Sequence, residues 1–137
     1  MNGTSNFIIR LHKTKRPHYD LTLEKNGEMR SWILPRGIPE TEKDRKIAIE
    51  ETGVKGSFNE ARDTIKQDGY GEGELRAWDS GPYSIEAENS IKYIIFANGK
   101  KFKGKFLLHN PGWGRWTKKR LWVLEKCPPS KPYSKTS

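Results

Sequence analysis

Cysteine is almost absent. Cys127 is the only one, which excludes an internal disulfide and a thiolate metal cluster. Nothing resembling a nucleophile motif surrounds it, so it reads as an inert thiol. No apolar run approaches the ~20 residues a membrane-spanning helix needs, and Met1 to Phe7 lacks the basic-then-apolar layout of a signal peptide. The expectation is a cytoplasmic chain with no membrane partner. At 137 residues there is room for one core but none for a ligase or polymerase beside it, so the chain is expected to act alone or with separately encoded chains. No internal repeat is visible.

Acid is scarce in one region. From Gly99 to the end, 11 lysines and arginines face a single acid, Glu125, so this last third carries +10 and the rest of the chain −1, for a formal net charge of +9. Phe102, Phe106, Trp113, Trp116 and Trp122 are interleaved with those cations. The combination suits phosphate contact and stacking on unpaired bases; a solvated basic face over core aromatics accounts for it equally well. Trp113 and Trp116, in a Pro-Gly-Trp-Gly-Arg-Trp loop, are the better stacking candidates. Trp32, Trp78 and Trp122 sit in strand-like segments and read as core. The candidate nucleic-acid contacts are Lys13, Lys15, Arg16, Lys103, Lys105, Trp113, Arg115, Trp116, Lys118 and Lys119.

Eight short stretches alternate or run apolar between turn residues: Phe7 to Leu11, Tyr19 to Glu24, Ser31 to Leu34, Lys46 to Glu50, Glu74 to Trp78, Lys92 to Ala97, Lys105 to Leu108 and Leu121 to Leu124. Asn26-Gly27 and Asn98-Gly99 are hairpin signals between the second and third and the sixth and seventh of these. The pattern predicts a mainly β chain, a compact barrel of about eight strands with one or two short peripheral helices. The candidate helix runs from Ser57 to Gln67, where Ser57 and Glu60 make a capping-box pattern. The domain is expected over residues 1–126, with 127–137, rich in Pro, Ser and Lys, as a disordered basic tail.

Two of the three histidines fall in the segment from Arg10 to Glu24. Side chains two apart on a strand share a face, so His18, Asp20, Thr22 and Glu24 form one row, Tyr19, Leu21 and Leu23 face the core, and Arg10 and His12 share a face of the preceding strand. The basic turn from Lys13 to Pro17 can fold His12 over His18 and Asp20. Two imidazoles and a carboxylate make a three-ligand set that leaves positions for water and substrate, suited to Mn, Zn or Fe. By spacing alone this is a weak signal, and ordinary surface polar residues explain it too. Gly71 and Gly73 read as turn or bulge residues rather than a phosphate loop, because no helical run follows them.

The same residues carry a resemblance. His12, His18-Tyr19-Asp20, Leu23-Glu24, Ser31-Trp32 and Pro35-Arg36-Gly37 resemble the opening of the 3′-phosphoesterase domain family of bacterial and archaeal DNA ligase D, where Leu-His-Tyr-Asp-Phe-Arg-Leu-Glu precedes Ser-Trp-Ala-Val-Pro-Lys-Gly. Tyr70-Gly71-Glu72-Gly73, Trp78-Asp79-Ser80-Gly81, Lys103-Gly104-Lys105-Phe106 and Leu121 to Lys126 resemble later family motifs, so the likeness spans Phe7 to Lys126. The resemblance implies a β-barrel that uses Mn, with Zn or another divalent metal as the alternative, to remove a 3′-ribonucleoside or 3′-phosphate and leave a 3′-OH. It places the metal ligands on His12, His18 and Asp20. Implied partners are DNA 3′ ends or a primer-template, with a separately encoded DNA ligase or polymerase.

Departures stand beside the matches. The family's arginine two residues after the metal-binding Asp is Thr22, and Thr52, Val54 and Phe58 fall where the family has catalytic Glu, His and Tyr. Arg36 and Lys46 keep the charge of basic family positions, and Arg10 can stand in for the missing arginine. A proton donor is then lacking; Tyr70 and His109 are the substitutes at hand. The catalytic candidates are therefore Arg10, Arg36, Lys46 and Tyr70. Two readings remain: a slow or altered phosphoesterase in end-joining repair, or a catalytically impaired module that holds DNA ends or docks a ligase.

Overall fold

The computed structural model describes residues 5–13, 15–51, 74–112 and 120–128. Eight strands account for most of them: β1 (Ser5–Lys13), β2 (His18–Lys25), β3 (Glu28–Leu34), β4 (Arg45–Glu51), β5 (Glu74–Asn89), β6 (Lys92–Asn98), β7 (Lys103–His109) and β8 (Arg120–Lys126). They close into an antiparallel barrel in the order β1-β2-β3-β4-β8-β7-β6-β5. Each expected strand is present. No helix occurs among the described residues, and the expected helix from Ser57 to Gln67 lies outside them, as does the tail from residue 129.

Two local features show how the sequence makes this shape. Asn26 and Gly27 have φ of 53° and 88°, the left-handed pair a two-residue hairpin turn demands, and they join β2 to β3 with Lys25 opposite Glu28. Strand β5, at 16 residues, is more than three times as long as its apolar stretch from Glu74 to Trp78 suggests. Its first half, up to Pro82, pairs with β1, and its second half, from Tyr83, pairs with β6. Proline lacks the amide a ladder needs, so Pro82 falls where the strand changes partners. Gly81 lets the end of β6 approach, since a Cβ there would sit 2.8 Å from the Asn98 carbonyl oxygen.

Eight strands enclose a space that side chains can just fill. Inward-pointing Phe7, Ile9, Leu21, Leu23, Trp32 and Leu34 from β1 to β3 meet Tyr93, Ile95, Phe106, Trp122 and Leu124 from the far wall, all buried. Trp32 and Trp122 pack edge to face at 5.4 Å, and Phe102 stacks on Phe106 at 4.1 Å. Each large side chain of this kind contributes roughly 1.5–3 kcal/mol by leaving water. Toward one end Arg30 lies 5.3–5.5 Å from the rings of Trp32, Tyr93 and Trp122 and bonds to Glu50 and the Tyr93 hydroxyl. With the interior filled, ligand chemistry is left to the outer wall and the barrel mouths.

Candidate active site

Along β1 and β2 the alternation that sends Phe7, Ile9, Leu21 and Leu23 inward sends Ile8, Arg10, His12, His18, Asp20 and Thr22 outward. The register sets Arg10 opposite Asp20 and His12 opposite His18. This outer wall is not an ordinary solvated face. Ile8, His12, Asp20, Thr22 and Ser31 are all buried, and the Thr22 and Ser31 hydroxyls share a 2.7 Å hydrogen bond.

The two expected histidines meet directly. His12 Nδ1 and His18 Nε2 are 3.3 Å apart, with the rings edge to face at 4.8 Å. His18 Nε2 lies 4.0 Å from Asp20 Oδ1, and His18 Nδ1 lies 3.4 Å from the Arg16 carbonyl oxygen. A proton on His18 Nδ1, shared with that carbonyl, leaves the Nε2 lone pair aimed at His12. A ligating imidazole is ordinarily oriented in this way, its second nitrogen donating to a carbonyl or carboxylate. Two donors each about 2.1 Å from one ion stand about 3.0–3.4 Å apart, depending on coordination. The histidine pair has that separation, while Asp20 has to turn to complete the set. As they stand, no three His, Cys, Asp or Glu side chains among the described residues are gathered closely enough to hold a metal ion. The donor chemistry fits a divalent cation, and the fit needs movement of one carboxylate.

His18 opens onto a cleft of about 610 Å³ lined also by Arg16, Ile33, Pro35 and Arg36. Arg36, in the turn after β3, also lines a neighbouring cleft of about 660 Å³ that contains Lys46. Thus Arg10, His12, His18 and Asp20 come together on the β1–β2 wall, Arg16 and Arg36 flank them, and Lys46 sits one cleft away. Its position follows from β4, where Lys46 shares the inward row with buried Ala48. His109 lies elsewhere, on β7, with Nε2 2.9 Å from Glu125 Oε2.

Among the candidate nucleic-acid contacts, Lys13, Lys15, Arg16 and Lys103 are exposed, and Lys105 pairs with Glu86 at 3.0 Å. Lys103 borders a hollow of about 610 Å³ with Tyr83 and the exposed Phe96, which has no acid-base or ligating set. Tyr70, Trp113, Arg115, Trp116, Lys118, Lys119, Thr52, Val54 and Phe58 lie outside the described residues. Burial pushes the Cys127 thiol up, with nearby Lys105 opposing, which accords with an inert cysteine. The sequence reading missed the burial of Asp20, Thr22 and Ser31. Polar residues at alternate strand positions signal an outward face and leave open whether that face is covered.

A match to the family described as DNA ligase D 3′-phosphoesterase domain covers residues 10–110. The multifunctional non-homologous end joining protein LigD of Mycobacterium bovis is 29% identical over 119 residues, which take in 84% of this chain and 16% of that protein. The LigD protein of Mycolicibacterium smegmatis is 27% identical over 126 residues, with the same coverage. That of Pseudomonas aeruginosa is 28% identical over 111 residues, 77% of this chain and 13% of that protein. The chain thus spans about a sixth or less of the length of these curated relatives.

Proposed function

Because the chain belongs to the DNA ligase D 3′-phosphoesterase domain family, we propose that it processes DNA 3′ ends in end-joining repair alongside a ligase. The reaction is hydrolysis of a phosphoester that removes a 3′-ribonucleoside or 3′-phosphate and leaves a 3′-OH. The observation that carries this reading is the part-buried His12–His18 contact of 3.3 Å with Asp20 beside it, opening on a cleft flanked by Arg16 and Arg36. His12, His18 and Asp20 would hold a divalent cation, Mn or Zn among the candidates. Such an ion supplies polarisation of a phosphoryl oxygen and a more acidic bound water.

The remaining steps fall to the chain itself. Arg16 and Arg36 present guanidinium groups where a terminal phosphate would enter, and planar donors suit phosphate oxygens through paired hydrogen bonds. Arg10, opposite Asp20 on the same wall, adds positive charge beside the reacting group. The β1–β2 register holds both imidazoles against each other, so their orientation is set before substrate arrives.

A second reading, a barrel that holds DNA ends without turning them over, is favoured by Thr22. Its hydroxyl is committed to Ser31 and brings no charge to a phosphate where the family carries arginine. One assay separates the two: hydrolysis of a 3′-phosphate and of a 3′-monoribonucleotide on a primer-template, with and without Mn, beside Asp20→Ala. Mn-dependent turnover that falls to background in Asp20→Ala supports the phosphoesterase. Tight primer binding with no turnover of either substrate selects the second reading.

A further inference from the structure

The cleft next to the histidine pair is a mouth of the barrel, and its border is rich in basic side chains. Four cations border it: Arg36, Lys46, Lys101 and Lys126. None of the four forms an ion pair among the described residues, whereas Lys25, Arg30, Arg45 and Lys105 are each paired with a glutamate. Two of them rest on aromatic rings. Lys101 Nζ is 4.8 Å above Trp78 and Lys126 Nζ is 5.7 Å above Phe106, an arrangement that restrains a flexible ammonium without neutralising it.

The acids at this mouth are Glu40 and Asp44. Asp44 is largely spent on its own loop, since its carboxylate accepts from the Glu40 and Thr41 amides. These bonds, aided by the charge of Lys46, hold the Asp44 carboxyl below its ordinary range. A concave mouth with four such cations against two acids focuses positive potential. Trp78 and Tyr19 also line it, but Lys101 covers the Trp78 ring, so stacking of a base is less suited here than contact with an anion.

We infer that this mouth is a second anchoring site for nucleic acid, taking a backbone phosphate of the strand whose 3′ end lies at the histidine pair. Arg36 borders both clefts and links the two sites. The inference rests on the DNA-end reading for its choice of ligand. Removing one cation that touches a phosphate should lower the steepness of the salt dependence by about 0.7–0.9.

The test is anisotropy titration of a fluorescein-labelled single-stranded 12-mer and a primer-template from 50 to 200 mM salt. The proteins are wild type, the double variant Lys101→Gln/Lys126→Gln, each single variant, and a charge-matched control, Lys25→Gln/Lys92→Gln. The double variant should have a slope shallower by about 1.4–1.8 and bind about tenfold more weakly at 50 mM salt, with each single variant near half that change in slope. An unchanged melting temperature separates this from misfolding. A slope equal to that of wild type, or an equal change in the control, overturns the inference. So does a double variant that no longer binds a penta-glutamate peptide yet keeps DNA, which would assign the mouth to an acidic protein segment. Wild-type protein that binds DNA but hydrolyses neither 3′ end defeats the catalytic proposal and leaves the slope comparison readable.

Discussion

Phe102 donates its amide to Asp79 Oδ2 at 2.7 Å, and Lys101 donates to the same oxygen at 2.8 Å, while Ser80 and Lys100 donate to Oδ1. One buried carboxylate on β5 thereby organises the turn between β6 and β7, the turn that delivers Lys101 to the barrel mouth. Burial pushes the Asp79 carboxyl up, and the four amides outweigh it, so the group is held below its ordinary range. A depressed folded-state value contributes stability that is complete above the unfolded value of about 3.9 and lost as pH falls through the folded one. Asp79→Ala should cost on the order of 3 kcal/mol at pH 7, because several charge-assisted bonds go and buried amides are left unmet. Denaturant unfolding between pH 2 and 7 should show a shallower acid limb for Asp79→Asn than for wild type.

Gly99 is bound to the same carboxylate by lack of space. A Cβ there would stand 2.4 Å from Asp79 Oδ2 and 2.6 Å from Phe7 Cζ. Both neighbours are buried, and Phe7 is part of the core, so neither can retreat cheaply. Gly99→Ala should therefore destabilise by about 1–3 kcal/mol through overpacking. It should also weaken the effect of a second Asp79→Ala change, because the two share one contact. A thermal melt of the single and double variants checks both statements.

How much of this was legible follows from the kind of signal each residue gives. Asn26-Gly27 is a true left-handed turn and was readable as one. Asn98-Gly99 marked the right hairpin for a different reason: the turn spans residues 99–102, closed by the Gly99 amide on the Phe102 carbonyl, and the glycine is there to clear Asp79. The pairing of His12 with His18 followed from strand parity plus a short basic turn, both local. Long-range effects were out of reach. Neither the change of partner at Pro82, nor the cover over Ser31 and Thr22, nor the meeting of Arg36 with Lys46 and Lys101 leaves a trace in periodicity, because each depends on which strands become neighbours when the barrel closes.

Arg30 offers a stability test at the barrel interior. Its guanidinium bonds to Glu50 and to the Tyr93 hydroxyl, and Glu50 also accepts from Trp122 Nε1 at 3.2 Å. The Glu50 side chain is only 7% exposed, so removing its partner strands a carboxylate among aromatic rings. Arg30→Ala should cost about 3–5 kcal/mol. Arg30→Ala with Glu50→Gln should recover part of that loss, since the charge no longer needs a counterion. A cycle of the four proteins by denaturant unfolding measures the coupling, and additive losses would show that the ion pair matters less than the packing around it.

Thr22 decides how this barrel differs from one carrying arginine on the same wall. The side chain is 1% exposed and its hydroxyl faces that of Ser31 at 2.7 Å, two residues along the strand from Asp20. Thr22→Val keeps the shape, leaves the Ser31 hydroxyl without this partner, and should lower stability by about 1–2 kcal/mol. Phosphate binding in the proposed mechanism comes from Arg16, Arg36 and Arg10, so 3′-end hydrolysis by Thr22→Val should stay within about twofold of wild type. Thr22→Arg should behave differently: a guanidinium forced into a covered wall costs packing and desolvation, and the melting temperature should fall by more than for Thr22→Val. Loss of hydrolysis in Thr22→Val at an unchanged melting temperature would mean that the hydroxyl itself contacts substrate, and the phosphate site would then have to be redrawn around the Thr22–Ser31 pair.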